Sequence, residues 1–260
     1  MYRMKSEVMI MSFTARRRIT DSIDDTIEAK DINASEINNN FFCPCCNCIF
    51  RYRSYASNQK AAHFFKLKSS NHDSECCFPF ADSIRGDVSW ESANGFDIDL
   101  FFKDIVNTDT RIGKGSTYSY NGTANNSTCH LSSVRLLYKF CMHHNNNSQL
   151  GNVKVQDVLV ARKTAYLYTR YIRGIRLVEC KYRRYDSTSK SIFLSYPFSH
   201  FCSSYQINIR IDFSSTDLYM STRYTLFNNP TKTVLILSNW KTENFVAYCT
   251  ISNKHQIVLI

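Results

Sequence analysis

Residues 43–77 contain six of the chain's 11 cysteines together with two histidines. Cys43 and Cys46 have the spacing of a metal knuckle, whose turn directs two thiolates toward one point while nearby backbone amides offset their negative charge. A tetrahedral zinc site needs a second ligand pair from a more distant segment, and His72 and Cys76 have suitable spacing, with His63 as the competing nitrogen ligand. Because four protein ligands leave no open position for a substrate, the pattern predicts a structural Zn²⁺ site.

Other cysteines leave the pairing within this cluster open. Cys45 and Cys48 form a second Cys-x-x-Cys pair, and Cys77 follows Cys76 directly. A redox role for Cys45 and Cys48 would need a βαβ context, which the surrounding sequence does not indicate. Four cysteines within six residues fit metal binding better than a disulfide framework, and the total of 11 is odd.

The start of the chain bears on the redox environment of these thiols. The apolar stretch from Met9 to Phe13 is too short for the core of a signal peptide, and the basic triplet Arg16 to Arg18 follows it rather than precedes it. We therefore expect a cytoplasmic protein, in which cysteines serve as thiols or metal ligands. The apolar runs are far shorter than the roughly 20 residues of a membrane span, so no membrane partner is expected.

The cysteine-rich segment resembles the zinc ribbon that opens bacterial proteins of the CoiA-like competence type. The resemblance covers about residues 20–80. Its motifs are Phe42-Cys43-Pro44-x-Cys46, an aromatic and basic hairpin, Ala62-His63-Phe64 and His72-x3-Cys76, preceded by Ile27-Glu28-Ala29-Lys30-Asp31. The family's His-Phe-x-His version has a second histidine where this chain has Lys66, so the fourth ligand stays open between His63 and His72. The resemblance implies a context of nucleic-acid handling, since such ribbons are often joined to nuclease or DNA-processing domains.

Glu179 and Lys181 are the best candidates for catalysis. In a strand their side chains project from the same face. This is the Glu-x-Lys arrangement of restriction-type nucleases, in which the carboxylate helps to bind Mg²⁺ and the lysine positions or activates water. A further acid is needed, and Asp157 is the first candidate, with Asp97 and Asp99 as alternatives. The competing interpretation, which we favour, is a cross-strand ion pair on a wet sheet face.

Residues 151–190 carry much of the chain's positive charge. The whole chain has a net charge of +10, and this segment contains ten basic and three acidic side chains with tyrosines among them. Arg and Lys neutralise phosphates while Tyr offers stacking surfaces, so the segment predicts a nucleic-acid-binding face. A solvated basic sheet with tyrosines in its core would have the same composition. The residues assigned to the face are Tyr166, Tyr168, Arg170, Arg173, Arg176, Lys181, Arg183 and Arg184.

Short strands separated by polar turns must position these side chains. The clearest is Tyr205–Phe213, in which isoleucines and Phe213 alternate with polar residues. Further strands are predicted at Ala165–Ile172, Ile175–Tyr182, Ile192–Tyr196, Leu218–Phe227, Val234–Leu237, Val246–Ile251 and Ile257–Ile260. Their number and spacing predict an antiparallel sandwich or barrel, with an OB-like barrel among the alternatives, because such a barrel presents one curved binding face.

One helix is predicted at Leu131–Met142, where apolar residues recur at helical spacing. The sequence thus predicts an α+β chain that is mainly β, with one or two helices. We divide it into an N-terminal segment with a zinc ribbon (1–80), a loop-rich connector with the helix (81–150) and a β-rich basic domain (151–260). The hydrophobic content of 43% supports packed cores, and the 7 Gly and 4 Pro exclude a collagen-like chain.

These observations favour a zinc-containing protein that binds single-stranded or distorted DNA or RNA, without enzymatic activity. One alternative is a Mg²⁺-dependent nuclease using Glu179 and Lys181. The other is an adaptor subunit that binds protein partners in a complex for DNA processing or defence.

Overall fold

The computed structural model describes residues 11–21, 25–54, 62–73, 76, 93, 95–107, 131–195 and 207–260. The chain divides into two compact units. The first comprises residues 1–85 and 142–145, and the second comprises residues 86–141 and 146–260. The described residues are mainly β, which confirms the predicted α+β class. No helix in these ranges is long and apolar enough to cross a membrane.

A six-stranded sheet forms the first unit, in the order β1-β6-β5-β4-β2-β3. Its strands are β1 (Met11–Ser12), β2 (Thr14–Arg16), β3 (Thr26–Glu28), β4 (Asn40–Phe42), β5 (Ile49–Arg53) and β6 (His63–Lys66). β4, β5 and β6 form an antiparallel meander. Phe41, Phe50 and Phe64 are buried on it, and the Phe41 and Phe64 rings pack 4.9 Å apart. Short 3-10 turns follow β3 at Ala29–Asp31 and Ala34–Glu36.

The second unit contains the remaining strands and most of the helical residues. Its strands are β7 (Gln149–Leu150), β8 (Val153–Lys154), β9 (Leu159–Val160), β10 (Gly174–Asp186), β11 (Ser191–Ser195), β12 (Asn208–Phe213), β13 (Thr233–Glu243), β14 (Val246–Ile251) and β15 (Ile257–Leu259). The α-helices of the described chain are α1 (Ile98–Asn107), α2 (Val134–His143), α3 (Val155–Val158) and α4 (Thr216–Phe227). Helix α2 confirms the predicted helix at Leu131–Met142.

Five strands of the second unit close into a barrel. The order is β10-β11-β12-β14-β13, and β13 pairs back to β10. All of these pairs are antiparallel except β12–β14, which is parallel. Helix α4 connects the third and fourth barrel strands. This is the strand order of an OB-type Greek-key barrel, so the barrel prediction is confirmed, with one parallel pair where only antiparallel pairs were expected.

Alternation along β10 separates the inside of the barrel from its outside. Val178 and Cys180 are completely buried in a core that also contains Trp240 and, from α4, Tyr219 and Leu226. The register of β10 against β11 shifts between Tyr182 and Arg184. Such a bulge bends a long strand and helps the sheet to close.

Two predicted strands are wrong. Leu218–Phe227 lies in helix α4, where Ser215 accepts the amide of Leu218 as an N-cap and Tyr219 and Leu226 are buried. Ala165–Ile172 begins in a 3-10 helix at Arg162–Tyr168, because the Thr164 hydroxyl accepts the amide of Ala161 and turns the chain. Local capping overrides the apolar and aromatic content that predicted strands. Residues 196, 205 and 206 of the predicted strands lie outside the described ranges.

Candidate functional sites

Four side chains of the first unit converge on one point. The ligand atoms of Cys43, Cys46, His72 and Cys76 all lie within 4.8 Å of one another. The Cys43 and Cys76 sulfurs are 3.8 Å apart. His72 Nδ1 lies 3.3 Å from the sulfur of Cys46 and 3.4 Å from that of Cys76. The group could therefore hold a metal ion.

These distances fit a tetrahedral metal. Metal–sulfur bonds of about 2.3 Å give sulfur–sulfur edges of about 3.8 Å in a tetrahedron, which is the separation of Cys43 and Cys76. Three thiolates and one imidazole are a donor set that Zn²⁺ takes in structural sites. Three of the four residues are buried, so the group is closed by protein rather than open to a substrate.

The backbone around the knuckle holds the sulfurs in place. Cys43 and Cys46 lie in the loop between β4 and β5, and the Cys43 amide donates to the Cys48 carbonyl at 2.8 Å to close that loop. The Cys45 amide points at the Cys43 sulfur at 3.4 Å, so it offsets thiolate charge. On the other side, the Cys76 amide donates to Asp73 at 2.9 Å, forming a turn next to His72.

Arg16 on β2 connects the knuckle to the sheet. Its guanidinium donates to the carbonyls of Cys43 at 3.0 Å and Cys46 at 2.6 Å. It also donates to the carbonyls of Ile19 and Asp21, both at 3.1 Å. Because Cys43 and Cys46 are buried, their carbonyls depend on Arg16 rather than on water.

Arg16→Met is expected to weaken metal binding at least tenfold, because it keeps the apolar stem and removes the donors that hold the knuckle carbonyls. Competition with a chelator of known affinity measures the effect. Arg17→Met is the matched control, since Arg17 is a neighbouring arginine that instead pairs with Glu36 at 2.7 Å. Equal metal affinity in the two variants would show that Arg16 does not position the ligands.

The pKa values of Cys76 and His72 are shifted because the four side chains of the group lie close together. Hydrogen bonds from Cys43, and then from Cys46 and His72, lower the pKa of the Cys76 thiol to about 6. Burial opposes charge on His72, but hydrogen bonds with Cys46 and Cys76 raise its pKa to about 9. Zn²⁺ requires thiolates and a neutral imidazole, so a bound metal would replace the protons that these groups share.

The structure selects His72 over His63 for this group. His63 lies on β6 opposite Arg53, where it is buried. Cys48, in the same loop, accepts a hydrogen bond from the Ser70 hydroxyl at 3.5 Å. Burial raises the pKa of the Cys48 thiol. Cys77 lies outside the described ranges.

Glu179 is enclosed instead of exposed on a wet face. It lies on β10 opposite Leu235, is 4% exposed, and accepts a hydrogen bond from the buried Tyr138 hydroxyl of α2 at 3.1 Å. Lys181, two positions on, is exposed. The favoured interpretation placed Glu179 on a wet sheet face, and that part of it is wrong, because the side chain is buried beside the Tyr138 hydroxyl.

The acids considered as partners of Glu179 in a nuclease lie in or next to helices. Asp97 caps helix α1 by accepting the amides of Asp99 at 2.9 Å and Leu100 at 3.0 Å. Asp157 is an exposed residue of the short helix α3. These placements give no support to a metal-binding trio with Glu179.

Tyr138→Phe is expected to lower the free energy of unfolding by about 1–3 kcal/mol, because it removes a buried donor to the Glu179 carboxylate. Urea denaturation measures the change. Tyr224→Phe, which deletes the hydroxyl of a side chain that is 73% exposed, should leave stability within about 0.5 kcal/mol. If the two variants were equally stable, the Tyr138 hydroxyl would not stabilise Glu179.

The residues predicted as a basic face occupy different environments. Tyr168 is unavailable for stacking, because it is 8% exposed and its hydroxyl donates to the Gln156 carbonyl at 2.6 Å. Arg176 is half-buried and donates to the Ile175 carbonyl. The exposed members are Tyr166, Arg170, Arg173, Lys181, Arg183 and Arg184.

A row of alternating cations and aromatic rings crosses the outside of the barrel. Cross-strand register pairs Arg184 of β10 with Phe193 of β11, Phe193 with Arg210 of β12, Arg210 with Tyr248 of β14, and Tyr248 with Lys241 of β13. Paired residues share a face, and their neighbours in sequence, such as Leu194 and Ile209, point into the core. We call these five residues the barrel row.

The side chains of the barrel row stack on one another. The Arg184 guanidinium lies 4.0 Å from the centre of the Phe193 ring, and that of Arg210 lies 5.1 Å from the Tyr248 ring. Both distances are in the range of cation–π contacts. At about 4.8 Å between neighbouring strands, five strands in register span about 19 Å. A cavity of about 190 Å³, lined by Arg183, Arg184, Phe193, Leu194, Asn208, Ile209 and Val246, adjoins the row.

Comparison of the chain with protein-family models, curated proteins and solved structures gave no match. The resemblance to CoiA-like zinc ribbons, and the context of nucleic-acid handling that it implies, therefore stay predictions.

Proposed function

We propose that the protein binds single-stranded or locally unpaired nucleic acid on the outer surface of its barrel. The barrel row carries this proposal, because it alternates groups that neutralise phosphates with groups on which bases stack. Three of its members are cationic and two are aromatic, and all lie on one continuous surface of five adjacent strands.

The architecture supports the same conclusion. The outer surface of the second and third strands is where OB-type barrels bind oligonucleotides or oligosaccharides, and here Phe193 and Arg210 occupy those strands. The net charge of +10 favours a polyanion over a neutral saccharide. Arg183, next to Arg184, extends the positive charge at the β10 end of the row.

In this proposal Zn²⁺ stabilises the first unit and takes no part in chemistry. The three cysteines and one histidine of the group complete a tetrahedron, which leaves no position for a substrate. Because three ligands of the group are cysteines, which bind Zn²⁺ as reduced thiolates, we propose the reducing cytoplasm as the place of action.

A salt titration of affinity tests the proposed function. Fluorescently labelled single strands of DNA and of RNA are titrated with the protein between 50 and 200 mM salt, a range in which three phosphate contacts on a single strand change affinity by about 20-fold. We expect a steep linear fall of log affinity with log salt, and weaker binding to a duplex of the same sequence. An affinity that does not change with salt concentration would contradict the proposal.

A further inference from the structure

Two acidic side chains lie within the barrel row's own surface. Asp212 follows Arg210 on β12 and pairs with it at 3.1 Å between Nη2 and Oδ2. Glu243 of β13 accepts a hydrogen bond from the Tyr248 hydroxyl at 2.7 Å. Each carboxylate is therefore already bonded to a side chain that a nucleic acid would contact.

The Asp212 carboxylate is held in place by a further contact. The other oxygen of Asp212 accepts a hydrogen bond from the Ser191 hydroxyl at 2.6 Å, which links β11 to β12. Asp212 and Arg210 have similar side-chain exposure, 34% and 37%, so both stay accessible to a ligand. The hydrogen bond to Glu243 raises the pKa of Tyr248.

We propose that Asp212 and Glu243 act as an acidic brake on nucleic-acid binding, competing with phosphate groups for Arg210 and Tyr248. This inference rests on the proposed function. A phosphate that approaches Arg210 must replace Asp212 as its partner and must approach the negative charge of both carboxylates.

Asp212→Asn and Glu243→Gln test the brake, because each amide keeps an oxygen that can accept the existing hydrogen bond while the negative charge is removed. Each variant is expected to bind a single-stranded oligonucleotide about threefold to tenfold more tightly at low salt, with the gain shrinking as salt screens the charges. Asp157→Asn is the matched control. It makes the same change in net charge at an exposed acid on α3, and its affinity should change less than twofold.

Unchanged or weaker binding in Asp212→Asn and Glu243→Gln overturns the brake. If Arg210→Ala still weakens a salt-sensitive wild-type interaction, the proposed function survives that result. If neither the wild type nor the Asp212→Asn/Glu243→Gln double variant binds, both the proposed function and the brake are wrong. Thermal unfolding of each variant confirms that the barrel is intact before affinities are compared.

Discussion

Replacing Cys46 with serine is expected to abolish stoichiometric metal binding and to unfold the meander of β4, β5 and β6. Cys46 is one of four donors, and its sulfur lies 3.3 Å from His72 Nδ1. For small structural zinc sites the metal-binding free energy is on the order of 10 kcal/mol and is also folding free energy. A sheet of short strands such as Asn40–Phe42 has little else to offset that loss.

Metal analysis and hydrogen exchange together measure this result. We expect wild-type protein to contain one zinc ion per chain and the Cys46→Ser variant to contain none. Amide protection should be lost in β4, β5 and β6, and treatment of the wild type with a chelator should produce the same pattern. If exchange became faster mainly in the barrel strands, the metal group would not be what stabilises the first unit.

Cys48→Ser is the matched control for Cys46→Ser. Cys48 lies in the same loop and is 1% exposed, but its sulfur accepts a hydrogen bond from Ser70 and is not one of the converging ligands. The variant should therefore keep its zinc. Full zinc content in Cys46→Ser, or loss of zinc from Cys48→Ser, would contradict the ligand assignment.

That one Cys-x-x-Cys pair supplies two ligands is predictable from sequence because the spacing is local, although the sequence leaves open whether the pair is Cys43 with Cys46 or Cys45 with Cys48. A Cys-x-x-Cys turn directs two sulfurs toward one point whatever the rest of the fold does. The choice between His63 and His72 is different, since it depends on how β6 pairs with β5. That pairing places His63 in the strand opposite Arg53 and leaves His72 beyond the strand, where the turn at Asp73 brings Cys76 beside it.

The barrel strands are predictable where one face is buried and the other is wet. Helix α4 breaks that rule, because Met220, Tyr224 and Phe227 are all more than half exposed. With apolar residues on its outer side as well as its inner side, the helix has no clear stripe. The signal that identifies it is the cap, Ser215 followed by Asp217 in the first turn.

The barrel row could not be predicted from any single segment of the sequence. Its residues come from five strands, and only cross-strand register brings them together. The charge of residues 151–190 indicated a basic surface, but of the eight residues assigned to it only Arg184 belongs to the row. Periodicity reveals that Arg210 and Tyr248 point outward, whereas it does not reveal that they are neighbours.

The strongest test of that surface is the Phe193→Ala/Tyr248→Ala double variant, which is expected to lower single-strand affinity by about a hundredfold. Stacking of a base on an aromatic side chain contributes about 1–3 kcal/mol, and this variant removes both rings of the row. The salt dependence should stay the same, because no phosphate contact is lost. Tyr224→Ala is the control, since it deletes an exposed aromatic ring on α4 outside the row.

Arg184→Ala and Lys241→Ala should show the opposite signature. Each removes one cation, so affinity should fall while the slope of log affinity against log salt decreases by about one. The two classes of variant thus separate stacking from phosphate neutralisation on a single surface. A change of slope in the aromatic double variant, or an effect of Tyr224→Ala as large as that of the double variant, would show that nucleic acid does not stack along the barrel row.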